Sequence, residues 1–289
     1  MGIILTFLFL ILGIGLPIAV QVFMNIDIFH FSVFFIIPIG AIIIGFISAK
    51  GYFSGKIKTN TLVTKKHILI GILIAIFCAI SSKYIIYTLT CLDETTYEYY
   101  YSLDGDHISN YSSDEYESFD FVNFTKYSIE NTPISFSRRS RTIGTFTNST
   151  FGWIYEVICF LGIIFGAYWT GSIALEKPYC NNCNLYKKSL KGFEIPFDKG
   201  PEFFEAFKSS INTVDLGTTS KSIINQYKSN CKKSKSPHYL GTFIYCESCK
   251  FTILKFTLQE LNSKGRFEEN DDFEFNCNID YNIINEYTA

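Results

Sequence analysis

The chain has 289 residues, 48% of them apolar and 18% charged, with a formal net charge of −2. That balance lies between a soluble enzyme and a pure membrane bundle, and it gives no bulk attraction to nucleic acid. No phosphate-binding glycine loop, H-E-x-x-H pair, serine elbow or kinase-like set occurs, so no catalytic residues are assigned and the chain is read as a non-enzyme.

The apolar residues are clustered. Four runs, Ile3 to Met24, Ile28 to Ser48, Ile68 to Leu89 and Phe151 to Leu175, exceed the roughly 18 residues that suggest a bilayer-spanning helix. The first has no Lys or Arg ahead of it and no small-x-small cleavage site, so it is expected to be an uncleaved span rather than a signal peptide. Only Asn25, Ile26 and Asp27 separate the first two runs, which predicts a tight antiparallel hairpin. The chain then divides into three spans over 1–90, an acidic loop or cap over 91–150, a fourth span over 151–175 and a polar tail over 176–289.

Lysine placement sets the expected orientation. Lys50, Lys56, Lys58, Lys65 and Lys66 lie between the second and third runs, and Lys177, Lys187, Lys188 and Lys191 follow the fourth. Both groups are expected in the cytoplasm, which puts both termini there and loop 91–150 outside a multi-pass cell-membrane protein. That loop carries ten acids against Lys126, Arg138, Arg139 and Arg141, and the three arginines are the one discordant feature. It also holds three N-x-S/T sequons, at Asn110, Asn123 and Asn148. Its aromatic and acidic stretches, Tyr97 to Tyr101 and Asp114 to Asp120, fit an ordered cap with a helix near Phe119 to Ile129, or a site for a cationic ligand.

Within the spans, Lys83 and Glu156 should share one depth, because their helices run antiparallel and each lies about 8 to 10 Å inside the outer end. Pairing them would reduce the cost of placing either in the membrane, about 2.5 to 3.5 kcal/mol near its centre. Gly71, Ala75 and Ala79 in the third run, Gly162 and Gly166 in the fourth, and Ala41 and Gly45 in the second form small-residue faces for close helix packing. Such faces serve an internal bundle or a homo-oligomer equally. Pro38 with Gly40 is expected to bend the second span. His30, His67, His107 and His238 are scattered without ligand spacing.

Nine cysteines are present. Cys180 and Cys183, with Cys246 and Cys249, form two Tyr-Cys-x-x-Cys units, each followed by a polar residue, Asn184 or Lys250. Four thiolates at this local spacing close a tetrahedral shell suited to structural zinc, with iron as the lesser alternative and a redox C-x-x-C as another. The pair of units resembles the two knuckles of a zinc ribbon, which implies a metal and a small β-fold but no one activity. The 62 residues between the pairs depart from the usual spacing, so an insertion must leave and re-enter the fold. Cys78 and Cys159 read as packing residues, Cys91 as a lone outer thiol, Cys231 as a loop thiol and Cys277 as the inner face of a strand.

Between the knuckles, Pro201 opens an amphipathic helix with Phe203, Phe204, Phe207 and Ile211 on one face, expected to pack on a sheet rather than on a membrane. A second short helix is expected around Ile223, Ile224 and Tyr227. The loop with Lys228, Lys232, Lys233, Lys235 and His238 is read as solvated, and strands follow over 239–245, 251–258 and 272–281 with a turn at 262–265. The fold class expected is therefore membrane α+β: four transmembrane helices, an extracytoplasmic loop domain and a cytoplasmic zinc-ribbon-like β domain with a helical insertion. The expected role is to present that domain to a cytoplasmic protein partner; a channel or small transporter with a regulatory zinc ribbon, and a redox protein, are the alternatives.

Overall fold

The computed structural model describes residues 2–32, 37–93, 98–112, 116–131, 134–138, 141–146, 148–211, 216–229, 231 and 235–286. Of these, 134–138, 141–146, 211, 216–220, 271, 285 and 286 are described by backbone alone. Tyr97, Asp114, Arg139, Lys232 and Lys233, and the side chains of Arg138, Arg141 and Ile211, lie outside that description. The chain divides into two compact units, Met1–Glu176 and Lys177–Ala289.

Four long helices build the first unit: α1 (Gly2–Met24), α2 (Ile39–Lys58), α3 (Lys65–Leu89) and α5 (Ser149–Leu175). Among the described residues, α1, α3 and α5 are long and apolar enough to cross a membrane. At 1.5 Å per residue they measure about 35 to 41 Å, against a hydrocarbon core of about 30 Å. Their outer faces are apolar, with Ile3, Phe7, Leu69, Phe77, Leu161 and Phe165 all exposed. This pattern points to lipid contact.

The second expected span needs correction. No helix starts at Ile28; a 3-10 turn occupies Ile28–His30, and α2 begins at Ile39 behind Pro38. Proline lacks an N–H and disfavours helical backbone in the residue before it, so the helix starts only once Pro38 is passed. It then continues beyond Ser48 to Lys58, carrying Lys50, Lys56 and Lys58 on the helix itself. The last two lie in its final turn, where cations complement the helix dipole.

α2 packs against α1, α3 and α5 and presents small residues to them, with Gly40, Ala41, Gly45, Ala49, Gly51 and Gly55 all buried. Its contact with α5 joins two of the expected small-residue faces. A methyl group on Gly45 would strike the carbonyl of Ile163, and one on Gly166 would strike the carbonyl of Ile42. Only glycine allows the two backbones this close.

Residues between α3 and α5 fold against the end of the bundle. The hairpin β1 (Thr90–Leu92) and β2 (Tyr99–Tyr101), the helix α4 (Phe121–Asn131) and the hairpin β3 (Ile134–Arg138) and β4 (Arg141–Phe146) make up this cap. Its core gathers Tyr87 of α3 with Ile108, Tyr116 and Phe119. The Tyr87 hydroxyl donates to the Phe119 carbonyl at 3.0 Å, tying helix to cap.

The second unit holds a four-stranded antiparallel sheet in the order β10-β9-β8-β7: β7 (Lys188–Pro196), β8 (His238–Tyr245), β9 (Thr252–Leu261) and β10 (Phe267–Ile279). A two-residue hairpin, β5 (Tyr179–Cys180) with β6 (Leu185–Tyr186), precedes it. The helices α6 (Gly200–Ile211) and α7 (Leu216–Tyr227) lie between β7 and β8 in the chain and cover one face of the sheet. Phe203 and Phe207 of α6 and Ile224 of α7 are fully buried with Phe243, Leu254 and Phe256 of the sheet. Sheet packing thus accounts for the amphipathic pattern. β10 starts at Phe267, earlier than the alternation suggested, and a bulge between Asn270 and Glu274 resets its register before Phe275 and Cys277 turn inward. The turn at 262–265 closes with a Gly265 N–H to Asn262 carbonyl bond of 2.9 Å and Gly265 at φ 70°.

Candidate metal centre

Both knuckles are tight turns between paired strands. In the first, Cys180 pairs with Leu185, and the Lys187 N–H bonds the Pro178 carbonyl at 2.9 Å. In the second, Tyr245 pairs with Thr252, and Cys246 and Lys250 close the turn through a 3.0 Å bond from the Lys250 N–H to the Cys246 carbonyl. Asn184 (φ 53°) and Lys250 (φ 61°), each directly after the second cysteine of its unit, adopt the left-handed conformation that reverses the chain. Asparagine tolerates this readily; lysine does not, and Lys250 also sets its ammonium 4.4 Å from the centre of the Tyr281 ring.

The 62-residue insertion does not separate the knuckles, because the sheet returns the chain to its start. Lys188, five residues after Cys183, pairs with Tyr245, one residue before Cys246. The Lys188 ammonium also meets the Glu247 carboxylate at 2.6 Å, across the two turns. Both pairs of thiols consequently converge at one end of β7 and β8.

All four sulfurs lie within 4.8 Å of one another, and the Cys180 and Cys249 sulfurs are 3.7 Å apart. With zinc–sulfur bonds of about 2.3 Å, the edge of a tetrahedral shell is about 3.8 Å. A disulfide would need about 2.05 Å, and none of these four cysteines is disulfide-bonded. Cys180 and Cys246 are buried, Cys183 is half-buried and Cys249 exposed, so a metal here would sit at the surface with two ligands rooted in the fold. Burial pushes the Cys246 thiol up, but the backbone N–H groups of Cys249 and Ser248 and the thiols of Cys249 and Cys180 together bring the group down to about 7, while the neighbouring thiols push Cys183 up to about 11. Such N–H donors favour the thiolate, the form that binds metal. Neither unit opens a helix, the usual setting of a redox C-x-x-C.

Cys231 does not join the quartet; it is buried, with its N–H bonded to Glu194 at 2.8 Å. Cys277 faces the sheet's core, and Cys78 and Cys159 are buried among the helices, as packing residues would be. Cys91 is also buried.

In the helical unit Lys83 and Glu156 form an ion pair. Sequence reasoning missed two further members. His30 Nε2 lies 3.1 Å from Glu156, and His30 Nδ1 lies 2.9 Å from Asp27. The 3-10 turn over Ile28–His30, capped by Asp27 accepting the Phe29 N–H at 2.9 Å, brings the histidine round to α5. One signal was available: outside 91–150 and the tail from 176, Asp27 and Glu156 are the only acids in the chain. The other histidines stay apart from this cluster. His67 caps α3 with Thr64, His107 bonds the Tyr87 carbonyl at 3.0 Å, and His238 is buried beside Phe267.

The chain matches no protein-family model, no curated protein and no solved structure.

Proposed function

We propose that Cys180, Cys183, Cys246 and Cys249 hold one structural zinc ion, and that the chain is a four-span membrane protein presenting this metal-stabilised domain in the cytoplasm to a protein partner. The convergence of four free thiols at tetrahedral spacing, from turns 62 residues apart, carries the metal assignment. Four protein ligands leave no open position for a substrate, which favours a binding or scaffolding role over catalysis. Three apolar helices support membrane residence, with α2 as the fourth span, and the lysines at 50–66 and 177–191 favour cytoplasmic termini.

Protease protection on sealed vesicles tests the arrangement. Protease on the cytoplasmic face should remove 177–289 and spare 91–150; cleavage in 91–150 with the tail protected would reverse the topology and move the thiols to an oxidising compartment.

The Asp27–His30–Glu156–Lys83 cluster favours a second reading, a channel or small transporter regulated by the sheet domain. Reconstituted flux that falls in Lys83→Ala and Glu156→Ala would support it. Wild-type flux in both would count against that route.

A further inference from the structure

At the cap end of the bundle a cavity of about 110 Å³ is lined by Gln21, Asp27, His30, Lys83, Tyr101 and Glu156, with α4 on its far side. Every titratable side chain of the cluster reaches it. His30, Glu156 and Lys83 keep 19%, 22% and 26% of their side-chain surface exposed, so none of the three is sealed off from the cavity.

The protonation of His30 follows from geometry. Each ring nitrogen faces a carboxylate oxygen, Asp27 at 2.9 Å and Glu156 at 3.1 Å. With both carboxylates ionised, a neutral imidazole, which has a single N–H, would point one lone pair at a carboxylate; only the doubly protonated ring donates to both. The ring is also held in place, because Tyr155 lies 5.3 Å away, centre to centre, and donates its hydroxyl to the His30 carbonyl at 2.8 Å. The groups facing it from other elements are Lys83 of α3, already paired with Glu156, and the neutral Gln21 and Tyr101, bonded to each other at 2.6 Å. With His30 charged, the two carboxylates and two cations balance. Without its proton the cluster carries one uncompensated negative charge inside the bundle.

We propose that His30 is a proton-binding site served by this cavity, and that its bound proton fastens the α1–α2 connection to α5. Asp27 and His30 belong to that connection, which is anchored to α2 by the Gly40 N–H to Phe31 carbonyl bond of 3.0 Å. Glu156 belongs to α5. Loss of the proton removes one of the two bonds and leaves the carboxylate at that nitrogen facing a lone pair, while the other still accepts the remaining N–H. The fastening is present while His30 is charged and is lost as pH rises through its midpoint, which lies above the ordinary histidine value of about 6.5.

The test is nitrogen NMR on full-length protein, labelled at histidine and held in lipid nanodiscs, titrated from about pH 5 to 10. The His30 signal is identified by its loss in His30→Gln. Imidazolium signals persisting at least one pH unit above the ordinary midpoint are expected. Glu156→Gln and Asp27→Asn should each lower the midpoint by about one unit or more, and Lys83→Met should raise it, a pattern that a packing role alone does not produce. A wild-type His30 that titrates near the ordinary value, or is neutral throughout, overturns the proposal even if a variant fails to fold.

Discussion

The two units of this chain differ in the mixture of residues they bury. In the first, small residues share the interior with a few large ones: Ala41, Ala49, Ala75 and Ala167 are fully buried beside Phe29, Ile44 and Phe53, while large apolar side chains such as Ile3, Phe7 and Leu69 point outwards. In the second, the interior is aromatic, with Phe203, Phe207, Phe243 and Phe256 fully buried. The difference is the one expected between helices that meet lipid and a domain that meets water. Lipid offers helices no hydrophobic reason to associate, so they rely on close backbone packing; water drives large rings together. The charge clusters differ likewise: four paired groups among the helices, and four thiols able to share one ion at the end of the sheet.

This contrast predicts where each unit breaks. The largest effect should come from the metal ligands. Cys180→Ser with Cys246→Ser removes a site whose ion can contribute about 10 to 16 kcal/mol, so the sheet domain should unfold while the helical unit persists. Near-ultraviolet circular dichroism together with proteolysis of the full-length protein would separate the two; a sheet domain as protease-resistant as wild type would refute the dependence. Next, Phe256→Ala should cost the second unit about 3 to 5 kcal/mol, read from its chemical denaturation midpoint. In the first unit Gly45→Leu pushes against the Ile163 carbonyl and should cost about 1 to 3 kcal/mol in detergent unfolding, with the sheet domain unaffected. The smallest effect should be that of Asn184→Ala, about 1 kcal/mol for placing a Cβ-bearing residue without a polar side chain in a left-handed turn. No change in stability would mean that the first knuckle re-forms without that conformation.

Features with a local period or a fixed spacing were legible in the sequence. The C-x-x-C pairs, the aromatic stripe of α6, the alternation leading to Cys277 and the glycine spacing of α5 all correspond to contacts in the fold. Lys83 and Glu156 were paired by counting helical rise from the same end of two antiparallel helices. Hydropathy alone placed the start of the second helix too early, because an apolar run does not register that Pro38 stops a helix. His30 and Asp27 escaped notice for a related reason: a short turn has no periodicity, and its partner on α5 lies 126 residues away from His30. The β1–β2 hairpin was missed too, since its strands are three residues each and carry no alternation to detect.

The most direct measurement is the metal content of purified full-length protein by elemental mass spectrometry, beside the variant carrying Cys180→Ser and Cys246→Ser. One zinc per chain, absent from the variant, is the result predicted by a structural four-thiolate site. Iron in its place would keep the fold but change the ion. A wild-type protein that holds no metal, with the four thiols oxidised or freely reactive, would contradict the central claim.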